Sequence, residues 1–285
     1  MAHPGAILRE KMAEGTLMCP GAWNGLVAAA VAKTGFQSCY ISGGATANAS
    51  GYPDIGLITL TEICRLIREV VDASKLPVIV DADTGYGETE CMDRVVVEYD
   101  RSGAAGMHIE DQEFPKRCGH LEGKTLISQS EMVEKVIFAS NSKVNDEFIL
   151  IVRTDARGTD SLEVAIERGH AYREAGADMI FPEGLQSEQE FEAFAKECPG
   201  LLLANMTEFG KTPYLSAKQF ESLGYDLVIY PITMQRVAMG AISQCLSQLF
   251  NEGTAKGFEN QMQTRQELYD LLEYVPGEPW RFHHT

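Results

Sequence analysis

A chain of 285 residues, 45% apolar and 23% charged, has an ordinary globular composition and is long enough to bury a core without disulfide or metal staples. Its formal net charge of −17 argues against nucleic acid or an anionic membrane as a partner, because both require a basic face. A small basic pocket inside an acidic whole still admits an anionic substrate.

Seven scattered cysteines without a CxxC pair argue against a disulfide framework or a zinc finger and for a reducing compartment. The N-terminal MAHPGAILREKMAEG has no uninterrupted apolar signal core, and LVAAAVA is too short to span a bilayer. No membrane association is expected. The expected location is the cytoplasm, or an organelle matrix if a transit segment has been removed.

In chain order, short apolar segments ending in polar residues or glycine alternate with amphipathic stretches. Strands are predicted at GTLMCP (15–20) and SCYISGG (38–44), followed by a helix over TLTEICRLIREVVDAS (59–74). Further strands are PVIVDAD (77–83), AGMHIED (105–111) and FILIVRTD (148–155), then a helix over SLEVAIERGHAYREAG (161–176). ADMIFPE (177–183), a helix over SEQEFEAFAKEC (187–198), LLLANM (201–206) and DLVIYP (226–231) complete the pattern. Glycine closes AKTG, DRSG and REAG, as a left-handed helix cap does.

Near-continuous apolar strands alternating with helices imply a parallel sheet covered on its faces. Eight such units fit a (β/α)8 TIM barrel, an α/β fold, better than a doubly wound sheet, since no GxGxxG follows the first strand. The expected organisation is one barrel domain over 1–285, with 251–285 as a C-terminal helical extension and tail. A barrel places its chemistry at the C-terminal strand ends.

There, Asp81 and Asp83 stand two apart, as do His108 and Glu110, so each pair shares a strand face. Like charges this close call for a cation or a proton. Oxygen-rich ligands suit Mg²⁺, or Mn²⁺, better than zinc; a capped turn is the alternative for DADTGYG. In KRCGH (116–120), Cys118 is flanked by Lys116, Arg117 and His120, and nearby cations favour a thiolate. Arg153, Arg236 and Arg265 are possible carboxylate clamps. Asn205 and Thr207 offer neutral hydrogen bonds, and YISGG offers backbone amides to an oxyanion.

Together, YISGG, DADTGYG, HIEDQ, KRCGH, RTDA, FPE, LANMTEFGKTP, YP and MQTRQELYD resemble the isocitrate lyase/phosphoenolpyruvate mutase superfamily, most closely its short 2-methylisocitrate lyases. The resemblance runs from about residue 16 to 270. It implies a barrel assembled as a homotetramer of helix-swapped dimers. It also implies Mg²⁺ at Asp81 and Asp83 with Glu110 and His108 nearby. Substrate contacts are implied from Ser42, Gly43, Gly44, Cys118, Gly119, Arg153, Glu183, Asn205, Met206, Thr207, Arg236 and Arg265. ATANASGYPDIG, at the substrate end, and the tail LEYVPGEPWRFHHT depart from the family's usual pattern.

The expected reaction is retro-aldol cleavage of 2-methylisocitrate, a small tricarboxylate, to pyruvate and succinate. Cys118 would act as general acid beside His120, Arg153 would stabilise developing charge, and Tyr40 would be the base, its pKa lowered by the metal or a nearby cation. A lyase or hydrolase of a smaller diacid, 2,3-dimethylmalate or oxaloacetate, is the alternative. A catalytically silent barrel would show no Mg²⁺-dependent activity on any of these acids.

Overall fold

The computed structural model describes residues 2–119 and 121–280. Helix α1 (Pro4–Glu14) is followed by β1 (Leu17–Pro20), α2 (Gly25–Thr34), β2 (Cys39–Ile41), α3 (Gly43–Ala49), α4 (Leu60–Ser74), β3 (Val78–Asp81), α5 (Cys91–Arg101) and β4 (Gly106–Glu110). The second half runs α6 (Gln129–Asn141), β5 (Ile149–Thr154), α7 (Ala156–Thr159), α8 (Leu162–Glu174), β6 (Met179–Pro182), α9 (Glu188–Glu197), β7 (Leu203–Asn205), α10 (Ala217–Ser222) and β8 (Leu227–Tyr230). Helices α11 (Thr233–Glu252) and α12 (Arg265–Leu271) follow.

The strands pair in parallel in two arcs, β2-β3-β4-β5-β6 and β1-β8-β7. Parallel bridges from Gly21 to Tyr40 and from Ile180 to Leu202 join the arcs. The sheet is therefore a closed eight-stranded barrel and not a doubly wound open sheet.

Alternation along each strand divides the core in two. Val78, Val80, Met107, Ile109, Leu150, Val152 and Val228 point outward against the helices. Cys19, Tyr40, Ile79, Ile149, Ile151, Met179, Phe181, Leu203 and Ile229 fill the interior. Helix α1 closes the N-terminal end by inserting Leu8 and Met12 into that interior cluster. Gly5 makes this possible: a Cβ there would collide with the carbonyl oxygens of Glu147 and Ala105.

The helices start where capping chemistry is supplied. Thr59 with Glu62, and Ser128 with Glu131, form reciprocal capping boxes on α4 and α6. Gly35 caps α2 in the left-handed region, at φ 100°.

The structure differs from expectation at two junctions that matter for the site. SGG does not prolong a strand: Ser42 caps α3, its Oγ accepting from Ala45 N at 3.2 Å. DAD leaves the strand after Asp81, and Asp83 adopts φ 46°, so simple alternation stops at the first aspartate.

Helix α11 differs from the helices that pack on the barrel. It has 20 residues, of which only Gln235 is buried. Val237, Leu246 and Phe250 are 70%, 59% and 91% exposed, an apolar display that a helix covering its own barrel would not have.

Candidate active site

Three aromatic rings floor the C-terminal mouth of the barrel. Tyr40 from β2 stacks on His108 from β4 at 5.8 Å, and Phe181 from β6 meets His108 edge-on at 5.5 Å. Tyr40 Oη and His108 Nε2 share a 2.7 Å hydrogen bond. Burial lowers the His108 pKa, against the pull of Asp81. Burial, then Asp81, raise Tyr40 well above the ordinary phenol value. That is the reverse of the lowering expected for a base.

Above the floor lie the acids. Asp81 accepts from Gly43 N and Asp83 N, each at 3.0 Å, and its Oδ1 is 3.6 Å from His108 Nε2. The Gly43 amide is thus committed to Asp81. Burial opposes charge on Asp81, but His108, Lys116 and the Asp83 amide outweigh it and hold the pKa low. Lys116 Nζ sits 2.8 Å from Asp83 Oδ1 and also pairs with Asp54. Apart from this ion pair, Asp83 Oδ1 is buried and accepts no hydrogen bond from the described residues; Glu110 Oε1 is buried and accepts none either. Burial pushes Asp83 up to about 6, with Lys116 pulling it down and Asp81 pushing it further up. Burial also raises Glu110 well above the carboxylate range.

On the other side, register sets Glu110 of β4 beside Arg153 of β5. The guanidinium is 3.4 Å from Glu110 Oε2 and 3.4 Å from Glu183 Oε2, and donates twice to Asp155, at 2.9 and 3.0 Å. It also lies 5.2 Å over the Phe181 ring. Burial disfavours its charge, yet Asp155, Glu110 and Glu183 raise the pKa further still. Asn205 Nδ2 donates to Glu183 at 3.0 Å. A fork so surrounded has a fixed orientation, as carboxylate recognition requires.

The segment after β4 folds over these groups. Its base is hairpin-like: Glu113 N bonds Thr125 O at 2.9 Å and Ile127 N bonds Asp111 O at 3.0 Å. Gln112 clasps the backbone of Arg117 in both directions at 2.9 Å. This brings Lys116, Cys118 and Gly119 to the wall of a cavity of about 240 Å³, together with Tyr40, Ser42, Gly44, Asp81, Arg153, Glu183, Asn205, Thr207 and Arg236. Gly119 lies so close to the floor that a Cβ would strike Arg153 Nη2 and Glu183 Cγ. Gly119→Ala is therefore expected to displace the guanidinium and lower kcat/KM about 100-fold, with little change in thermal midpoint; steady-state kinetics beside a melting curve checks this.

Most sequence-predicted residues thus meet at one mouth, but not all. Met206 turns outward and is buried in the helix-facing core, its Sδ accepting from Leu215 N at 3.4 Å. Arg236 lines the cavity, but its Nη1 already donates to Thr207 Oγ1 at 3.1 Å and to Glu208 Oε2 at 2.7 Å. Arg265 is exposed on α12 and does not line this cavity. His120, predicted beside the thiol, lies outside the described residues.

Lys124 and Asp54 were missed as site residues, whereas Asp155 ends the predicted strand FILIVRTD. Lys124 Nζ donates to Asp155 Oδ1 at 2.8 Å and to the Gly119 carbonyl. Loop lysines and acids read as solvated charge, so spacing alone carried no signal for them. Asp111, adjacent to Glu110, points outward and accepts from Thr154, Arg168 and Tyr172, which makes it a strut of the lid base.

The sequence profile of the family described as phosphoenolpyruvate phosphomutase matches residues 8–250. The 2-methylisocitrate lyase of Aeropyrum pernix is 44% identical over 275 residues, 96% of this chain and 89% of that protein. A crystal structure of 2,3-dimethylmalate lyase superposes with a TM-score of 0.89 at 33% identity, covering 95% of this chain and 92% of the other. Phosphonopyruvate hydrolase, solved with oxalate and Mg²⁺, superposes with a TM-score of 0.84 at 26% identity over 95% of each chain.

Proposed function

We infer that this chain, which belongs to the phosphoenolpyruvate phosphomutase family, is a carbon–carbon lyase that cleaves 2-methylisocitrate to pyruvate and succinate. The observation that carries the reading is the convergence of the Cys118 thiol, the Arg153 fork, Tyr40 and Asp81 on one small cavity. The 44% identity to a 2-methylisocitrate lyase supports the substrate. The fold shared with 2,3-dimethylmalate lyase keeps the smaller diacid as the second reading.

The donor chemistry fits a hard cation. Buried carboxylate oxygens of Asp83 and Glu110 accept no hydrogen bond among the described residues, and Asp81 lies beside them. No three acidic, histidine or cysteine side chains among the described residues form a cage for a metal. Such a site suits Mg²⁺, which is usually held by one or two carboxylates and completes its shell with substrate oxygens and water. Asp81 and Asp83 would hold it, with Glu110 nearby; His108, whose Nε2 faces Tyr40, supports Asp81 from below. Bound there, Mg²⁺ supplies Lewis-acid polarisation of the oxo-acid oxygens.

The chain's own residues do the rest. Tyr40 Oη, hydrogen-bonded to His108 Nε2, passes the proton of the substrate hydroxyl on to that nitrogen, so the phenol, whose pKa is raised, holds no charge of its own. The carbon–carbon bond breaks as the carbonyl of pyruvate forms, and its electron pair remains on the succinate fragment. Arg153 stabilises the charge that spreads into the adjacent carboxylate, and Cys118 delivers its thiol proton to that carbon. The lid over the cavity excludes water meanwhile.

A raised Asp83 pKa has a definite consequence. The proton and the metal compete for one carboxylate, so Mg²⁺ affinity is expected to fall as pH drops through about 6. In the metal-free protein the same shift contributes stability below the ordinary aspartate value, and that contribution is lost as pH rises to about 6. Calorimetric titration of Mg²⁺ across this range tests it; a flat affinity would contradict it.

The bare apolar side chains of α11 support an exchange of that helix between subunits, within the expected homotetramer. The chain then reads as one barrel domain with 251–285 as an extension. No helix among the described residues is long and apolar enough to cross a membrane, and the reading places the enzyme in the cytoplasm.

A side-by-side assay of 2-methylisocitrate, 2,3-dimethylmalate and oxaloacetate, with Mg²⁺ and with chelator, tests the assignment. Mg²⁺-dependent pyruvate and succinate from the first are expected. Preferential release of propionate or oxalate from the others would transfer the assignment to the smaller acids.

A further inference from the structure

We propose that Lys116 and Lys124 are positioning residues that clamp the Cys118 segment onto the two ends of the reaction site, Lys116 at the metal carboxylates and Lys124 at the substrate fork. The proposal rests on the lyase reading for what Cys118 does, but its geometry stands without it.

Lysine is seldom buried unless paired, yet these two side chains are 4% and 1% exposed. They flank the thiol within one loop, and each reaches a carboxylate already tied to a functional group. Lys116 Nζ bridges Asp83, at 2.8 Å, and Asp54, which belongs to the neighbouring loop between α3 and α4. Lys124 Nζ holds the carbonyl of Gly119, the residue after the thiol, and bonds Asp155 Oδ1 at 2.8 Å. Asp155 in turn orients Arg153 through two hydrogen bonds. The loop is thus pinned on both sides of Cys118, and each pin reads a different part of the site.

The two clamps are not equivalent. Lys116 places a positive charge against Asp83, where a divalent cation would be received, so it opposes that cation electrostatically. Arrival of the cation therefore loosens the Lys116–Asp83 contact and leaves Asp54 to hold the lysine. Lys124 pairs with Asp155 and forms no ion pair with Asp81, Asp83 or Glu110, so its removal is expected to leave metal affinity unchanged.

The test uses the full chain without substrate, so that its outcome is independent of which acid is cleaved. Cys118 alkylation is followed by peptide mass spectrometry across pH, which separates access, read from the plateau rate, from thiol acidity, read from the midpoint. Mg²⁺ affinity is measured by calorimetry. Cys39, fully buried in β2, reports global unfolding if it reacts.

In Lys116→Met, the Cys118 plateau rate is expected to rise about tenfold and Mg²⁺ binding to tighten about tenfold. In Lys124→Met, the rate rises similarly but Mg²⁺ affinity does not change. Should Lys116→Met fail to protect Cys39, Asp54→Asn removes one leg of the clamp while leaving Asp83 paired. It is expected to raise the Cys118 rate without tightening Mg²⁺. Wild-type Cys118 rates in the folded variants, or equal effects of both lysines on Mg²⁺, would overturn the proposal. Loss of activity on every tested acid with the alkylation pattern intact would instead fault the lyase reading.

Discussion

Replacing the Cys118 thiol with a hydroxyl, Cys118→Ser, is expected to lower kcat by about 10²–10⁴-fold while substrate still binds. The thiol lines the cavity with Arg153 and Tyr40, and its role begins only after the carbon–carbon bond has opened. Serine is nearly isosteric and leaves Gly119 and both lysine clamps in place. Its hydroxyl is a far weaker acid than a thiol, so proton delivery fails while recognition persists. Substrate affinity by calorimetry and turnover by pyruvate release separate the two effects. Near-normal turnover would remove Cys118 from the mechanism.

The second large effect is expected at Arg153. Its guanidinium stands among Glu110, Asp155 and Glu183, all three of them essentially sealed from solvent. Arg153→Met leaves Glu110 and Glu183 without their cation and Asp155 with Lys124 alone, and is expected to cost about 3–5 kcal/mol of stability. It should also lower kcat/KM about 10³-fold, because developing carboxylate charge loses its partner. The stability gap should narrow as pH falls, since protonating the acids removes the charges that Arg153 balances. Arg153→Lys keeps a charge but not the fork, and should fall between the two. Chemical denaturation at several pH values, with steady-state kinetics, checks both parts; an undiminished kcat/KM would show that the fork does not act on substrate.

How far the site was legible depended on where each residue sits. Inward-facing strand positions were readable, because alternation is strict inside β4: His108 and Glu110 point in, and Asp111 points out. The Glu110–Arg153 pairing is set by the parallel register of β4 and β5, which neither strand's own pattern specifies. Asp83 shows the limit of that reasoning. It reaches the site, but through a left-handed backbone step beyond the strand and not through pleat geometry. SGG likewise turned out to begin a helix, with the Gly43 amide committed to Asp81.

Lys124, Asp54 and the inward turn of Lys116 depend on contacts across 31 to 62 residues of sequence, and no local pattern encodes such meetings. A lysine that folds inward onto a buried carboxylate looks, in sequence, like one that faces water. The barrel was legible because eight repeats of one pattern reinforce each other. Helix α11 was not, since its apolar display has meaning only when the shape of the barrel it leaves bare is known.

Cleavage of 2-methylisocitrate in D₂O tests the central claim most directly, because it follows the broken bond and the delivered proton at once. The prediction is pyruvate and succinate in equal amounts, with one solvent deuterium fixed in each succinate at the carbon that was cleaved. It also predicts loss of both products when Mg²⁺ is chelated. Failure to release pyruvate from this acid, or succinate without solvent hydrogen at that carbon, would contradict the account.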